Sequence, residues 1–204
     1  MNYEKENIET KQGNISRIIP NFVTMLALCS GLTSIRYSII EEWKLAAFLI
    51  ILAAVLDFFD GWFAKKLKVG SQFGAELDNL NDIISFGVAP SILVYFWSTK
   101  YLNSLGWAVT LFFVVCAALR LARFTTDIYL SNQPIDKQKY FIGIPSPAAA
   151  GLILLTLFAY FEFNLLFFKN PYLNLIILFI VGLMMISKVP TFSLKNLSVN
   201  SSYI

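Results

Sequence analysis

Residues 56–82 read LDFFDGWFAKKLKVGSQFGAELDNLND, and they set four aspartates into otherwise apolar sequence. Asp57 and Asp60 are three apart, and Asp78 and Asp82 are four apart. On helices each pair falls on one face. Gly61 and Ala64 continue the face of Asp57 at offsets of four and seven. Three lysines, Lys65, Lys66 and Lys68, stand between the two acidic halves and predict a short hairpin connection.

Outward from this stretch the chain is strongly apolar. Of its 204 residues 57% are hydrophobic and 14% charged, with a mean hydropathy of +0.64. Soluble domains average about 45–50% apolar and about 25% charged. Six apolar segments, 18–40, 43–67, 77–99, 104–124, 147–168 and 171–188, are long enough, or nearly so, to span a hydrocarbon core of about 30 Å. The expected fold is all-α: a polytopic membrane protein built as a bundle of six transmembrane helices over 18–188. Residues 1–17 are polar, carry both charge signs and lack a signal-peptide layout, so they read as a cytoplasmic arm. Residues 189–204 read as a cytoplasmic polar tail rich in Ser and Asn.

Basic residues set the expected orientation. With the N-terminus inside, Lys5, Lys11, Arg17, Lys65, Lys66, Lys68, Arg120, Arg123, Lys137, Lys139, Lys188 and Lys195 are cytoplasmic, while Arg36, Lys44, Lys100 and Lys169 are external. An even number of spans puts both termini inside. Cys29 and Cys116 lie within apolar runs and read as packing residues, outside any disulfide framework. The net charge of +3 and the absence of a basic tract with interleaved aromatics give no sign of a nucleic-acid partner.

The acids carry the chemistry. Trp43 opens its segment at the outer surface, so Asp57 lies about 21 Å further in at about 1.5 Å per residue, within the membrane but near its cytoplasmic face. One aspartate at a helix centre costs about 2.5–3.5 kcal/mol to insert. Four together point to a functional site, the alternative being helix caps paired with the three lysines. Oxygen ligands without His or Cys suit hard cations, Mg²⁺, Mn²⁺ or Ca²⁺, which near carboxylates serve phosphate chemistry. With no histidine in the chain, a general base is Asp, Glu, Lys, Tyr or a metal-bound hydroxide. Gly61 and Gly74 remove side chains beside the acids, either to admit a bulky ligand or to let helices pack tightly. Arg120 and Arg123 end the fourth span, either to snorkel, with Arg123 paired to Asp127, or to grip an anion.

The acidic stretch resembles the signature of the CDP-alcohol phosphotransferases, D-x-x-D-G-x-x-A-R, eight residues, then G-x-x-x-D-x-x-x-D. It fits as Asp57, Asp60, Gly61, Ala64, then Gly74, Asp78 and Asp82, with every spacing kept. The one departure is Lys65, where the family has arginine; lysine keeps the charge but loses the planar fork. Pro20-Asn21 with Thr24 and Gly31 resembles the first helix of the family's phosphatidylserine synthase branch, with Ala27 where many members have asparagine. Ser85–Pro90 (SFGVAP), Arg120–Phe124 (RLARF) and Gly143–Gly151 (GIPSPAAAG) look like the same branch.

The resemblance implies a metal-dependent transfer of a phosphatidyl group from CDP-diacylglycerol to L-serine, giving phosphatidylserine and CMP. It implies two divalent cations, Mg²⁺ or Mn²⁺ with Ca²⁺ able to occupy the site, held by Asp57, Asp60, Asp78 and Asp82. Asp82 would also be the catalytic base. Asn21, Thr24, Asp60, Gly61, Ala64, Lys65 and Gly74 would bind the nucleotide, and Arg120 or Arg123 the acceptor or a phosphate. A homodimer among membrane lipids is implied, in a bacterial cytoplasmic membrane with the active site inside. Within the same chemistry the acceptor alternatives are glycerol 3-phosphate, inositol phosphate or choline. From other classes come a cation-coupled transporter and a non-catalytic lipid-binding protein, although the acids lie in one hairpin without a second copy.

Overall fold

Helix α1 runs Asn2–Ile39 and α2 runs Trp43–Lys66. Their seam is made of small residues. Ala46, Ala47 and Ala53 are buried on α2, which lets serines of α1 reach the neighbouring main chain. Ser30 Oγ donates to the Leu49 carbonyl and Ser34 Oγ to the Ala46 carbonyl, both at 2.8 Å. The turn between them places Glu41 at φ 65°. Its carboxylate accepts from Lys100 Nζ at 2.6 Å. That hydrogen bond and the charge behind it hold the Glu41 carboxyl below its usual range and the Lys100 ammonium above its own. The computed structural model describes residues 2–67, 71–130, 141–187 and 190–191. Of the basic residues used for orientation, Lys5, Lys11, Arg17, Lys68, Lys137, Lys139, Lys188 and Lys195 fall outside these or on side chains not described, as does Asp127.

The third span is one rod with a widened turn in it. Helix α3 covers Gln72–Asp82, a π turn follows at Ile83–Val88, and α4 covers Ala89–Trp97. It starts earlier than expected, at 72 rather than 77, because Ser71 caps it by accepting from the Gly74 N–H at 2.9 Å. Proline at 90 causes the widening. It has no N–H to offer the Phe86 carbonyl, and its ring crowds that carbonyl. The Ala89 N–H instead reaches back five residues to Ile84. Ser91 Oγ covers two of the disturbed carbonyls, Gly87 at 2.8 Å and Val88 at 2.9 Å.

Helix α5 spans Ser104–Leu130, α6 spans Ser146–Phe163 and α7 spans Pro171–Ile186. Helix α6 stops five residues short of expectation, where Asn164 takes a left-handed conformation at φ 51°. The core lies where α4, α5, α6 and α7 meet, around Trp97, Phe113, Leu157 and Leu178. Because lipid is as apolar as the interior, specificity comes from close packing and buried polar contacts. Asn174 supplies one such contact, accepting from Thr156 Oγ1 at 2.6 Å and donating to Ser98 Oγ at 3.1 Å and the Phe168 carbonyl at 2.8 Å. A two-residue antiparallel pairing, β1 (Phe141–Ile142) with β2 (Pro190–Thr191), joins the chain ahead of α6 to the chain after α7.

Among the described residues five segments are long and apolar enough to cross a membrane: Ile18–Ile39, Trp43–Lys66, Gln72–Trp97, Ser104–Thr126 and Ser146–Phe163. Helix α7 is as apolar but has 16 residues, about 24 Å at about 1.5 Å each. The expected six helices are therefore present, with the sixth shorter than a full span. Phe48, Phe58, Leu105, Leu155 and Ile176 are exposed on the outside of the bundle, the face that a bilayer covers. The chain is an all-α integral membrane protein that crosses the bilayer several times.

Candidate active site

Asp57 and Asp60 lie toward the C-terminal end of α2, and Asp78 and Asp82 on α3. The hairpin turns the two acidic faces toward each other. One carboxylate oxygen from each of Asp57, Asp60 and Asp78 lies within 4.8 Å of the other two. Asp60 is 5% exposed, and its Oδ2 has no hydrogen-bond partner. A buried carboxylate oxygen without a donor is costly. Three converging carboxylates with one orphaned oxygen are a donor set that fits a hard divalent cation. Asp82 lies one turn beyond Asp78 and is not part of the triad. It interacts electrostatically with Asp78 and with Arg120.

Beside the acids is a cavity of about 200 Å³, lined by Pro20, Asn21, Thr24, Asp60, Gly61, Ala64, Ser71, Gly74, Ala75 and Asp78. Three helices build it: α1 brings Asn21 and Thr24, α2 the Asp60 face, and α3 its capped first turns. Six of the seven residues expected at a nucleotide thus share one cavity; Lys65 is exposed and is not in its lining. The two glycines separate here. A Cβ on Gly61 would meet nothing within 4 Å, so this glycine leaves open space in front of the acids. A Cβ on Gly74 would come within 2.7 Å of Asn21 Oδ1, so this one lets α3 approach α1.

The arginines separate as well. Arg120 is half-buried on α5 and donates from Nη1 to Ser146 Oγ at 2.8 Å, while its Nε is buried without a partner. Arg123 is exposed. Two polar side chains that the acid spacing does not single out are Asn81 and Ser85, both fully buried. Asn81 Nδ2 donates to Asp57 Oδ1 at 2.8 Å, and Ser85 Oγ donates to Asn81 Oδ1 at 2.8 Å. The available signal was the four-residue step from Asn81 to Ser85 on the strip of helix that carries Asp78.

Apolar membrane-length helices enclosing an acid-lined cavity at one end define a membrane-embedded centre suited to an anionic, metal-bridged ligand. The chain belongs to the CDP-alcohol phosphatidyltransferase family, whose sequence model matches residues 17–189. It is similar to three proteins named CDP-diacylglycerol–serine O-phosphatidyltransferase. That of Mycobacterium leprae is 34% identical over 187 residues, 92% of this chain and 62% of the relative. That of Mycobacterium tuberculosis is 39% identical over 140 residues, 69% of this chain and 49% of the relative. That of Helicobacter pylori is 35% identical over 172 residues, 84% and 70% respectively. The chain therefore spans less than two thirds of the length of the two mycobacterial relatives.

Proposed function

We propose that this protein transfers a phosphatidyl group from CDP-diacylglycerol to L-serine, releasing phosphatidylserine and CMP. The observation that carries the proposal is the convergence of Asp57, Asp60 and Asp78 on one point beside the cavity lined by Asn21, Thr24, Gly61 and Ala64. The names of the relatives support serine as acceptor. Asp57, Asp60 and Asp78 would hold Mg²⁺ or Mn²⁺, and the bound ions would neutralise charge on the donor's diphosphate and on the phosphate that leaves.

The remaining work falls to the chain. Gly61 leaves the space the diphosphate needs, and Asn21 and Thr24 offer polar groups to the cytidine side. Arg120 is held by Ser146 at the Asp82 side of the site, where its guanidinium would grip the serine carboxylate. Asp82, outside the triad, would accept the proton of the serine hydroxyl. The freed oxygen attacks the phosphorus that bears diacylglycerol, the bond from that phosphorus to the bridging oxygen breaks, and CMP departs with the electron pair. A site at one end of the bundle suits a lipid arriving sideways and a polar acceptor arriving from water.

The proposal extends to placement. Residues 1–17 and 189–204 would flank the membrane domain of 18–188 on the cytoplasmic side of a bacterial membrane, and the enzyme would work as a homodimer. The test is CMP release by purified protein from CDP-diacylglycerol with serine, glycerol 3-phosphate, inositol phosphate and choline in parallel. Release with serine above the other three is expected. Equal release without any alcohol, or release with another acceptor only, would overturn the assignment.

A further inference from the structure

We infer that Asn81 is a positioning residue that fixes which oxygen of Asp57 is presented to the metal, with Ser85 and Gly31 holding its amide in place. The inference rests on the reading of Asp57, Asp60 and Asp78 as metal ligands. The geometry runs one way. A carboxylate that holds a cation is ionised and only accepts hydrogen bonds, so as a ligand Asp57 requires the NH₂ end of the Asn81 amide at Oδ1, and the two are 2.8 Å apart. The amide oxygen then faces Ser85, whose hydroxyl donates to it at 2.8 Å. Asp57 alone selects this orientation, since a hydroxyl can donate or accept, and the Ser85 bond anchors the far end of the amide.

Ser85 is itself set in place by α1. A Cβ on Gly31 would collide with Ser85 Oγ and lie 3.0 Å from Ser85 Cα, so the bare glycine makes the notch in which the serine sits. Asn81 and Ser85 are both completely buried. Water does not compete for these hydrogen bonds, and leaving either amide end unpaired there would be costly. The result is that Asp57 Oδ1 is already engaged, and its other oxygen is left for a cation. Asp60 has no such partner on Oδ2. Both ligands of α2 thus keep one oxygen for a cation while the protein engages the other, Asp57 through Asn81 and Asp60 through the Thr24 side chain and the Gly61 main chain.

Partners behind a ligand typically change metal affinity by roughly 10- to 100-fold when removed. The test is Mn²⁺ binding by the full-length protein in detergent, followed by the electron paramagnetic resonance of free Mn²⁺, with the melting temperature recorded alongside. Asn81→Ala is expected to raise the Mn²⁺ Kd by roughly 10- to 100-fold. Ser85→Ala, which keeps the amide but frees its rotation, is expected to raise it less, and to add little in the Asn81→Ala background. Asn174→Ala is the control: it removes an equally buried, hydrogen-bonded asparagine at the other end of the bundle and is expected to lower the melting temperature without moving the Kd. Wild-type Mn²⁺ affinity in Asn81→Ala would overturn the inference, as would an equal loss in Asn174→Ala. If Asn81→Ala cannot be purified folded, an unchanged Kd in Ser85→Ala overturns it instead. No Mn²⁺ binding by the wild type would bring down the metal reading, and this inference with it.

Discussion

Arg120 on α5 and Ser146, the first residue of α6, are joined by a 2.8 Å hydrogen bond from Nη1 to Oγ. The bond fixes a guanidinium that also interacts with Asp82. Arg123, three residues on, is exposed.

The first prediction separates these two arginines. Arg120→Ala should raise the KM for serine about 10- to 150-fold, the loss of a charged hydrogen bond of about 1.5–3 kcal/mol, with a much smaller effect on CDP-diacylglycerol. Ser146→Ala should give a milder rise of the same kind, and Arg123→Ala should match the wild type. Steady-state kinetics with each substrate varied in turn decides it; wild-type serine kinetics in Arg120→Ala would leave that residue a structural strut.

Chelation is the second. A triad of carboxylate oxygens with no nitrogen or sulfur ligand points to hard cations. CMP release should stop in EDTA and return with Mg²⁺ or Mn²⁺. Turnover that survives exhaustive chelation contradicts the proposed site.

A third concerns division of labour among the acids. Asp82 lies outside the triad, so Asp82→Asn should abolish transfer while CDP-diacylglycerol still binds. Asp57→Asn should weaken both. Binding of the labelled donor to each variant, set beside its turnover, distinguishes a base from a ligand. Equal loss of donor binding in the two variants would make Asp82 primarily a ligand.

The glycines give a fourth. Gly61→Ala adds a methyl group where nothing lies within 4 Å, so the melting temperature should hold while the KM for CDP-diacylglycerol rises. Gly74→Ala forces a methyl group against Asn21 and should destabilise the fold by about 1–3 kcal/mol. Thermal unfolding of both variants checks the contrast, which fails if Gly61→Ala is the less stable.

The fifth is orientation. Lys66 ends α2 beside the acids, and Lys100 pairs with Glu41 at the opposite end. Cysteines at these positions in a cysteine-free background should be labelled from opposite sides of intact cells, position 100 from outside. Labelling of position 66 from outside reverses the proposed placement.

The acid pairs, their helical faces and the membrane character were readable because each depends on local spacing and composition alone. Asn81 was not. Between Asp78 and Asp82 an asparagine reads as one more polar residue, and only the approach of α2 shows that it backs Asp57. Gly61 and Gly74 could not be told apart for the same reason, since the space in front of a glycine is set by other helices. The early start of α3 was signalled by Ser71, a cap residue ahead of a helix, but the apolar count that placed the span passed over it. A proline at 90 within an apolar run implies a disturbed helix; that the disturbance takes the form of a widened turn depends on how the neighbouring carbonyls find new partners.

The widened turn at Ile83–Val88 holds one residue more than an ordinary helical turn. An ordinary helix advances about 100° per residue, and the widening takes up that step, so the acids of α3 and the core-facing Leu93 and Trp97 of α4 keep the relation they would have along an unbroken helix one residue shorter. Loss of a single residue between 83 and 88 should therefore be absorbed by closing the turn, whereas a further residue gained there would swing Asp78 and Asp82 about 100° away from α2 while Leu93 and Trp97 stayed seated. The stretch is a slack link that tolerates shortening better than lengthening.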